Sequence, residues 1–367
     1  MRWLTLNRNV KRMSVSGVRK MFEMASKMKN PIDLSVGKPD FDTPPPIKNA
    51  AIKAIKQGLN GYTPTVGIPA LRKAIVQKFK NNKIRVKESQ VLITGAVSGA
   101  LDLVLCALLN PGDEVIIMDP FFVGYKQLLL RYGAKIVQIP TNKDFSIDLA
   151  GLEKATSKKT KAILINSPNN PTGKMYDEKE LRAVARIARK HATLVISDEI
   201  YEEFSYTKKH FSIGSVYTNT VTLNGFSKSH AMTGWRVGYC CGPQAIIDAT
   251  IKQQQFTYVC APAPFQQAAL TALSTSVKKY AKAYKKKRDI VYKGLKDKYD
   301  IVQPEGAFYA FVKYPYNADR FIKDCVKNNL LVVPGNVFSE KNTHFRICFA
   351  TKDSVLRKAI KVLNNLT

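Results

Sequence analysis

The sequence lacks an apolar run long enough to cross a membrane. A membrane-spanning helix needs about 18 to 20 predominantly apolar residues. The richest window, VLITGAVSGALDLVLCALL at 91–109, is interrupted by Thr94, Ser98 and Asp102. Residues 1–20 also lack the apolar core of a secretory signal, although their basic, acid-free composition leaves an organelle transit sequence as an alternative. We therefore expect a soluble, cytoplasmic protein with no membrane contact.

The sequence also lacks any metal-like spacing of cysteines. No pair has the C-x-x-C spacing that is typical of structural zinc and redox sites. Most of the cysteines lie inside apolar segments, which favours reduced, buried side chains. We predict no metal site. The six cysteines are Cys106, Cys240, Cys241, Cys260, Cys325 and Cys348.

Acidic residues are scarce. The chain has 28 Asp and Glu against 58 Lys and Arg, so its formal net charge is +30. Such a charge alone favours nucleic acid or another polyanion as a partner. The basic residues are nevertheless spread over nearly every predicted helix, and no RNP-like, zinc-finger or helix-turn-helix pattern occurs. The composition therefore predicts a lysine-rich surface, with specific nucleic-acid binding as a weaker alternative.

Seven short apolar runs alternate with helix-like patterns in the middle of the chain. Continuous apolar strands separated by amphipathic helices predict a mainly parallel, mixed sheet that helices cover on both faces. The predicted fold class is therefore α/β. The strand candidates are VLI (91–93), EVIIM (114–118), AKIVQI (134–139), KAILIN (161–166), TLVIS (193–197), TVTLN (220–224) and WRVGYCC (235–241).

Other patterns flank this core. Helical periodicity at 47–57 and 69–80 precedes the sheet, and a long helical pattern covers 265–299. Two alternating strands, at 307–314 and 344–350, follow it, each before a helix. They indicate a smaller α+β domain.

These patterns divide the chain into three parts. We predict an N-terminal arm with part of the small domain at 1–42, a large domain at 43–285 and a small C-terminal domain at 286–367.

Polar residues follow three of the predicted strands, at the edge where open parallel sheets bind ligands. The loop NSPNNPTG (166–173) follows one strand and is a candidate ligand-binding loop, with a plain turn as the alternative. Asp198 follows another; a buried acid there needs a cationic partner, unless it caps a helix. Lys228 follows a third, where desolvation would lower the pKa of its amine and make it a nucleophile toward carbonyls.

Two anion-binding features accompany these residues. Arg236 offers a planar fork of donors that suits a phosphate. The run GAVSGA (95–100) opens a helix whose N-terminal N–H groups can bind an anion, although it is neither a P-loop nor G-x-G-x-x-G. A carbonyl-seeking lysine, a buried acid and a phosphate site would together suit a phosphorylated aromatic aldehyde bound as a Schiff base.

With these motifs the sequence resembles the class I/II aminotransferases, fold-type-I enzymes that depend on pyridoxal 5'-phosphate (PLP), across nearly its whole length. The resemblance implies a large PLP-binding domain, a homodimer, and transfer of an amino group from an L-amino acid, such as aspartate or an aromatic one, to a 2-oxo acid such as 2-oxoglutarate. The matching motifs are VGKPDF (36–41), GYTPTVGIPALR (61–72), GAVSGAL (95–101), NPGDEV (110–115), DPFFVGY (119–125), NSPNNPTG (166–173), SDEIY (197–201), SKSHAMTGWRVGY (227–239) and HFRICFA (344–350).

The resemblance implies a role for each residue near the cofactor ring. Lys228 would form the Schiff base and then act as the base that moves the substrate's α-proton. Asp198 would pair with the pyridine nitrogen, while Asn170 and Tyr201 would hydrogen-bond the phenolic oxygen. Phe122 would stack on the ring, unless it is simply part of the core.

By the same resemblance, Arg236 and the backbone of Ala96, Val97 and Ser98 would hold the phosphate, and the Ser227 hydroxyl would donate to it as well. Ala96 stands where the family usually has glycine, Gly225 replaces a common serine, and Ser98 replaces a lysine of some aspartate-specific relatives.

The resemblance also implies contacts with the substrate and with a second subunit. Tyr62 matches a tyrosine that reaches the cofactor of the neighbouring subunit in a dimer. Arg346 would bind the substrate's α-carboxylate, helped by the Gly37 backbone and by Asn170.

Two other functions remain as alternatives. One is another enzyme on the same scaffold, a carbon–sulfur lyase or a cyclopropane-forming synthase. The other is a basic nucleic-acid-binding protein that retains an inactive aminotransferase fold. The amino donor is not determined by the sequence; we expect it to depend on the N-terminal arm, a loop near residues 15–18 and the partner subunit.

Overall fold

A seven-stranded mixed sheet forms the centre of the computed structural model, which describes residues 5–15 and 17–367. The strands in the described part of the chain are β1 (Ile32–Asp33), β2 (Val91–Thr94), β3 (Glu114–Asp119), β4 (Lys135–Pro140), β5 (Thr160–Asn166), β6 (Leu194–Asp198), β7 (Thr220–Gly225), β8 (Gly238–Cys241), β9 (Tyr309–Lys313), β10 (Leu330–Leu331), β11 (Val333–Pro334) and β12 (His344–Cys348). The central sheet has the order β2-β8-β7-β6-β5-β3-β4. β8 runs antiparallel to both of its neighbours and the other pairs are parallel, which confirms the predicted mixed sheet.

The described residues also form helices, some of which pack on this sheet and others on the C-terminal part of the chain. They are α1 (Arg8–Arg12), α2 (Gly17–Lys27), α3 (Pro45–Lys56), α4 (Pro69–Asn81), α5 (Ala96–Leu108), α6 (Val123–Arg131), α7 (Leu149–Ala155), α8 (Glu178–Lys190), α9 (Gln244–Gln255), α10 (Ala263–Ser274), α11 (Lys278–Leu295), α12 (Ala318–Lys327) and α13 (Asp353–Asn364). The predicted helices at 47–57 and 69–80 correspond to α3 and α4.

Both faces of the parallel strands are apolar because both are covered. Along β3, Val115 and Ile117 pack into a core shared with α5, whereas Ile116 and Met118 pack into a second core under α7 and α8. Alternate residues of a strand point to opposite faces, so burial on both sides requires an uninterrupted apolar run. This double burial explains the continuous strand pattern in the sequence.

The predicted strand at 235–241 is wrong at its beginning. β8 starts only at Gly238. Arg236 has a φ of 54°, in the left-handed region, and the Trp235 N–H bonds back to the Met232 carbonyl in a turn. Extended strand geometry requires a negative φ, so Arg236 lies outside the sheet.

The long helical pattern at 265–299 is likewise divided into α10 and α11. Ser274, Thr275 and Ser276 lie at the break, and the Thr275 hydroxyl donates to the Thr271 carbonyl. Serine and threonine side chains compete for backbone hydrogen bonds and so weaken a helix interior. The boundary predicted between residues 285 and 286 falls inside α11, and the division into domains remains a prediction.

The N-terminal arm joins the C-terminal part of the chain. β1 pairs in parallel with β10, while β11, β12 and β9 form an antiparallel sheet. Met21 of α2 packs in a small core with Phe311, Val333 and Phe338. Gly17 and Val18, which we expected in a loop, belong to α2, and Ser16 of that segment lies outside the described residues.

Two predictions from composition can be compared with the fold. Within residues 5–15 and 17–367, no helix has both the length and the apolarity that crossing a membrane requires. The alternative of a transit sequence concerns residues 1–20, of which residues 1–4 and 16 lie outside the described part of the chain. All six cysteines lie in the described part, and none of them forms a disulfide.

Candidate active site

The carboxyl ends of β5, β6 and β7 lie side by side. Asn166 at the end of β5 is in register with Asp198 at the end of β6, and the next strand leads to Lys228. The Asn166 side chain ties the ends together, because it donates to the Asp198 carbonyl at 2.9 Å and accepts from the Asn170 N–H at 2.8 Å. The loop 166–173 is therefore part of the site, and not only a turn.

These strand ends open into a cavity of about 580 Å³. Every residue that the sequence places in the site lines this cavity, except Tyr62. Tyr62 lies outside it and is 86% exposed to solvent. The sequence-predicted residues that line it are Gly37, Ala96, Val97, Ser98, Phe122, Asn170, Asp198, Tyr201, Ser227, Lys228, Arg236 and Arg346.

Lys228 is only partly exposed, and its amine donates to the Gly37 carbonyl at 2.7 Å. Desolvation lowers the pKa of the amine to about 8, and the charges of Arg346 and Arg236 act in the same direction. A substantial fraction of the amine is therefore neutral near pH 8, which is the form that attacks a carbonyl.

Asp198 is 6% exposed and its carboxyl accepts from two donors. The Tyr125 hydroxyl lies 2.7 Å from Oδ2, and the Ile200 N–H lies 3.2 Å from Oδ1. Desolvation nevertheless raises the pKa of this carboxyl to about 6. The N-cap alternative for Asp198 is wrong, because the residues that follow form turns and no α-helix begins there among the described residues.

Arg346 is 1% exposed and stands between two aromatic rings. Its guanidinium carbon lies 4.5 Å from the ring centre of Tyr309 and 4.7 Å from that of Phe338. Two of its nitrogens donate to the Asn170 side chain at 3.0 Å and to the Ser35 carbonyl at 2.7 Å. Its Nε is buried with no partner among the described residues. A buried donor without a partner is costly, so this arginine is suited to receive an anionic ligand.

The N-terminus of α5 and Arg236 together form an anion-binding corner. Arg236 donates to the Ser98 hydroxyl at 2.9 Å and to the Thr233 carbonyl at 2.9 Å. Ala96 has a φ of 68°, which bends the chain sharply between β2 and α5. The N–H groups at the start of a helix attract negative charge. The left-handed position explains why glycine would be favoured at residue 96.

Phe122 and Ser227 also lie at the cavity, though in different surroundings. Phe122 is partly buried and meets the Tyr125 ring edge-on at 5.4 Å, so one of its sides remains available to the cavity. Ser227 is buried beside Lys228. The hydroxyl of Tyr201 lies 2.9 Å from that of Tyr309.

Two tyrosines of the site were missed as site residues in the sequence. Tyr125 supports the Asp198 carboxyl, and Tyr309 supports both Tyr201 and Arg346. A Cβ added at Gly37 would lie 2.3 Å from the Tyr309 hydroxyl, so only glycine fits beside it. Both tyrosines occur in runs that the sequence does single out, DPFFVGY and AFYAFVKY, but nothing local in those runs indicates their distant partners.

A charged cluster lies behind the site, next to Asp198 in the chain. Glu199, Glu202 and His210 place their polar atoms within 4.8 Å of one another. Lys78 pairs with Glu202 at 2.5 Å, and His210 pairs with Glu199 at 3.0 Å. Burial opposes the charge on His210, but the carboxylate of Glu199 outweighs it and raises the pKa of the imidazole. These pairings compensate the buried acids and hold the turn after Asp198.

The cavity as a whole fits a phosphorylated aromatic aldehyde. The α5 corner suits its phosphate, the partly buried face of Phe122 suits a ring, and the Lys228 amine suits its carbonyl. The buried Arg346, with its unpartnered Nε, offers a separate place for a carboxylate.

Known proteins are similar to this chain over almost its whole length. Residues 29–363 match the family model of aminotransferase class I and II. The probable aspartate aminotransferase of Methanocaldococcus jannaschii is 37% identical, over 97% of this chain and 98% of that protein. The aspartate/prephenate aminotransferase of Thermus thermophilus is 36% identical, over 97% of each.

Solved structures agree with these sequence relatives. An aspartate aminotransferase from Thermus thermophilus with maleate has a TM-score of 0.96 at 35% identity, covering 99% of this chain and 100% of that one. The aromatic aminotransferase from Pyrococcus horikoshii has a TM-score of 0.89 at 34% identity, covering 95% and 98%. The chain therefore belongs to the class I and II aminotransferases, enzymes that transfer amino groups, and has the fold-type-I architecture that its motifs predict.

Proposed function

We propose that this aminotransferase binds PLP in the cavity at the ends of β5, β6 and β7 and exchanges amino groups between an L-amino acid and a 2-oxo acid. One observation carries the proposal. Lys228, with an amine pKa of about 8, shares a single cavity with the buried carboxyl of Asp198 and the buried guanidinium of Arg346.

Each part of the cofactor has residues suited to hold it. Arg236 and the first N–H groups of α5, at Ala96, Val97 and Ser98, suit the phosphate, with Ser227 beside them. Asp198 suits the ring nitrogen, because a positive charge there would compensate the cost of keeping its carboxylate buried. Asn170 and Tyr201 suit the phenolic oxygen, and Phe122 suits the ring face.

PLP, when bound, supplies an aldehyde that reacts with amines and a ring that accepts electrons from the substrate's α-carbon. The protein supplies orientation and proton transfer. Arg346 binds the substrate's α-carboxylate, with the Gly37 backbone and Asn170 beside it, and so fixes which bond of the α-carbon faces Lys228. The Lys228 amine, partly neutral near pH 8, takes the α-proton and returns it.

The substrates proposed here follow the relatives. Those relatives are named for aspartate, for aspartate and prephenate, and for aromatic amino acids. We expect a donor such as aspartate or an aromatic amino acid, and an acceptor such as 2-oxoglutarate, used in two successive half-reactions.

A homodimer is part of the proposal. Tyr62 is 86% exposed and Phe256 is 85% exposed, and Ile52, Ile55 and Leu59 are exposed near Tyr62 in the chain. Large exposed apolar side chains indicate a contact surface. Burial of this surface against a second copy would let Tyr62 reach the partner's cofactor, and light scattering would measure the assembly.

The absorption spectrum tests cofactor binding directly. We expect purified protein mixed with PLP to gain a visible band, and Lys228→Ala to lose it together with the borohydride-stable adduct that mass spectrometry detects. Lys38→Ala is the matched control, because Lys38 is exposed beside Gly37 and does not line the cavity. No band in the wild type would refute the proposal.

Product analysis separates transamination from the alternatives. We expect 2-oxo acid to form only when an oxo acid acceptor is present. Release of pyruvate from cystathionine without an acceptor would indicate a lyase instead. Salt-resistant nucleic-acid binding by a protein that does not bind PLP would indicate an inactive scaffold.

A further inference from the structure

The helix α11 carries basic residues of two kinds. On its inner side the charges are compensated. Lys287 pairs with Asp40 at 3.0 Å and with Asp353 at 3.2 Å. The buried Arg288 pairs with Asp289 at 2.6 Å. The lysines on its outer side are exposed and have no ion-pair partner within residues 5–15 and 17–367. They are Lys278, Lys279, Lys282, Lys285, Lys286 and Lys293.

The outer lysines border a groove between α11 and α13. The two helices lie close together at Gly294, where a Cβ would be 2.8 Å from the Ile360 side chain. The groove has a volume of about 620 Å³ and shares no lining residue with the candidate active site. Its one described acidic residue, Asp289, is the partner of Arg288. The basic residues that line this α11–α13 groove are Lys286, Lys293, Arg357 and Lys361.

The spacing of the charges does not favour the fold. Lys282 and Lys286 lie one turn apart on α11, and Arg357 and Lys361 lie one turn apart on α13. Like charges four residues apart on a helix repel each other and weaken it. All four side chains are exposed, and no carboxylate in the described part of the chain pairs with them. An external anion would relieve the repulsion that the protein itself leaves uncompensated.

The length and chemistry of the groove favour the backbone of a double-stranded nucleic acid. Lys282 and Lys293 are about 16 Å apart along the axis of α11, which corresponds to about five phosphates of one duplex strand. None of the described residues that line the groove is aromatic, so it offers no stacking surface for unpaired bases. Neither α11 nor α13 exposes a large apolar side chain that could anchor it in a membrane.

We propose that the α11–α13 groove binds the phosphate backbone of double-stranded DNA or RNA without sequence preference. Basic side chains that neutralise phosphates release condensed counterions, so this binding is sensitive to salt. The groove and the candidate active site have no residue in common, so the enzyme keeps its cofactor while it is bound to the duplex. This binding does not depend on the proposed function.

Fluorescence anisotropy with labelled duplexes tests the proposal on the PLP-loaded, full-length enzyme. One variant combines Lys286→Gln, Lys293→Gln, Arg357→Gln and Lys361→Gln. In about 100 mM salt it should bind a DNA duplex of about 20 bp more weakly, by about tenfold or more. The slope of log K against log salt should fall by about 3 to 4, since each lost phosphate contact removes about 0.9.

The matched control removes the same charge from another exposed surface, at α7 and the beginning of β5. It combines glutamine substitutions of Lys154, Lys158, Lys159 and Lys161, which are exposed and have no ion-pair partner among the described residues. Its affinity should change by less than about threefold and its salt slope should stay the same. Both variants should keep the visible cofactor band of the wild type, which shows that they fold.

Protection of lysines from acetylation provides a second measurement that needs no variant. Mass spectrometry of the wild type, acetylated with and without duplex, reports the reactivity of each lysine. The duplex should protect Lys286, Lys293 and Lys361 and leave Lys158 and Lys159 reactive. DNA and RNA duplexes are measured separately, and binding of either one supports the proposal.

Four results would overturn the proposal. They are the absence of duplex binding in about 50 mM salt, equal weakening by the two variants, a strong preference for one duplex sequence, and binding to phosphatidylserine vesicles but not to duplexes. Equal weakening would assign the binding to net charge, and binding to vesicles alone would assign it to a membrane surface. Amino-group transfer is measured on the same preparations, so the proposed function stands or fails separately.

Discussion

Replacing Asp198 by asparagine should stabilise the PLP-free protein while it impairs the enzyme. The pKa of this carboxyl is raised from the ordinary value of 3.8 to about 6, mainly by desolvation. One pKa unit corresponds to about 1.4 kcal/mol, so keeping the carboxylate ionised in the fold costs about 3 kcal/mol. Asparagine removes this cost but disturbs one of the bonds from Tyr125 and Ile200, which costs about 1 kcal/mol. We expect a net gain of about 1–2 kcal/mol at pH 8.

The dependence of this gain on pH identifies its cause. Because the pKa is raised in the folded state, the wild type becomes more stable as the pH falls through 6, where Asp198 takes up a proton. Between pH 8 and pH 5 the wild type should recover about 1 kcal/mol of the cost, and the advantage of Asp198→Asn should shrink by that amount. Urea unfolding at the two pH values measures both quantities.

Saturating PLP should reverse the order of stability. The wild type would gain a pair between its carboxylate and the cofactor's ring nitrogen, which the asparagine variant cannot form. Tyr125→Phe serves as a comparison, because it keeps the charge and removes a hydrogen bond to it, and should therefore destabilise the PLP-free protein. A pH-independent advantage for Asp198→Asn, or a loss of stability at pH 8, would refute the reasoning.

Two further predictions concern other parts of the site. A Cβ at Gly238 would lie 2.6 Å and 2.7 Å from backbone atoms of Ala96 and Val97. Gly238→Ala should therefore lower the free energy of unfolding, measured in urea, by about 1–3 kcal/mol and weaken PLP binding. Gly234→Ala is the control, because a Cβ at Gly234 would meet nothing within 4 Å. Because the pKa of Lys228 is lowered to about 8, its covalent capture of PLP should rise about tenfold from pH 7 to pH 9, as measured by borohydride reduction and mass spectrometry; a hundredfold rise would indicate an ordinary lysine.

The parts of the site that follow strands could be predicted from the sequence. Asp198 and Lys228 each come directly after a continuous apolar run, and the ends of parallel strands meet at one edge. The family motifs added Arg346, which lies in a different sheet, on β12.

Contacts between distant segments could not be predicted in this way. Tyr125 reaches Asp198 from 73 residues away, and Tyr309 reaches Tyr201 from 108 residues away. Neither tyrosine differs locally from a core residue. The left-handed conformation of Arg236 could not be predicted either, because the apolar residues beside it continue the pattern of a strand.

The pairing of β1 with β10 determines when the enzyme becomes complete during its synthesis. Ile32 pairs with Leu330, so the arm must wait for about 300 further residues, or roughly 15–60 seconds at usual rates of translation. Until then the arm does not hold Gly37, whose carbonyl accepts a hydrogen bond from the Lys228 amine, in its final position. The large sheet can form on the ribosome, but the nascent chain cannot act on a substrate before its last strands have emerged.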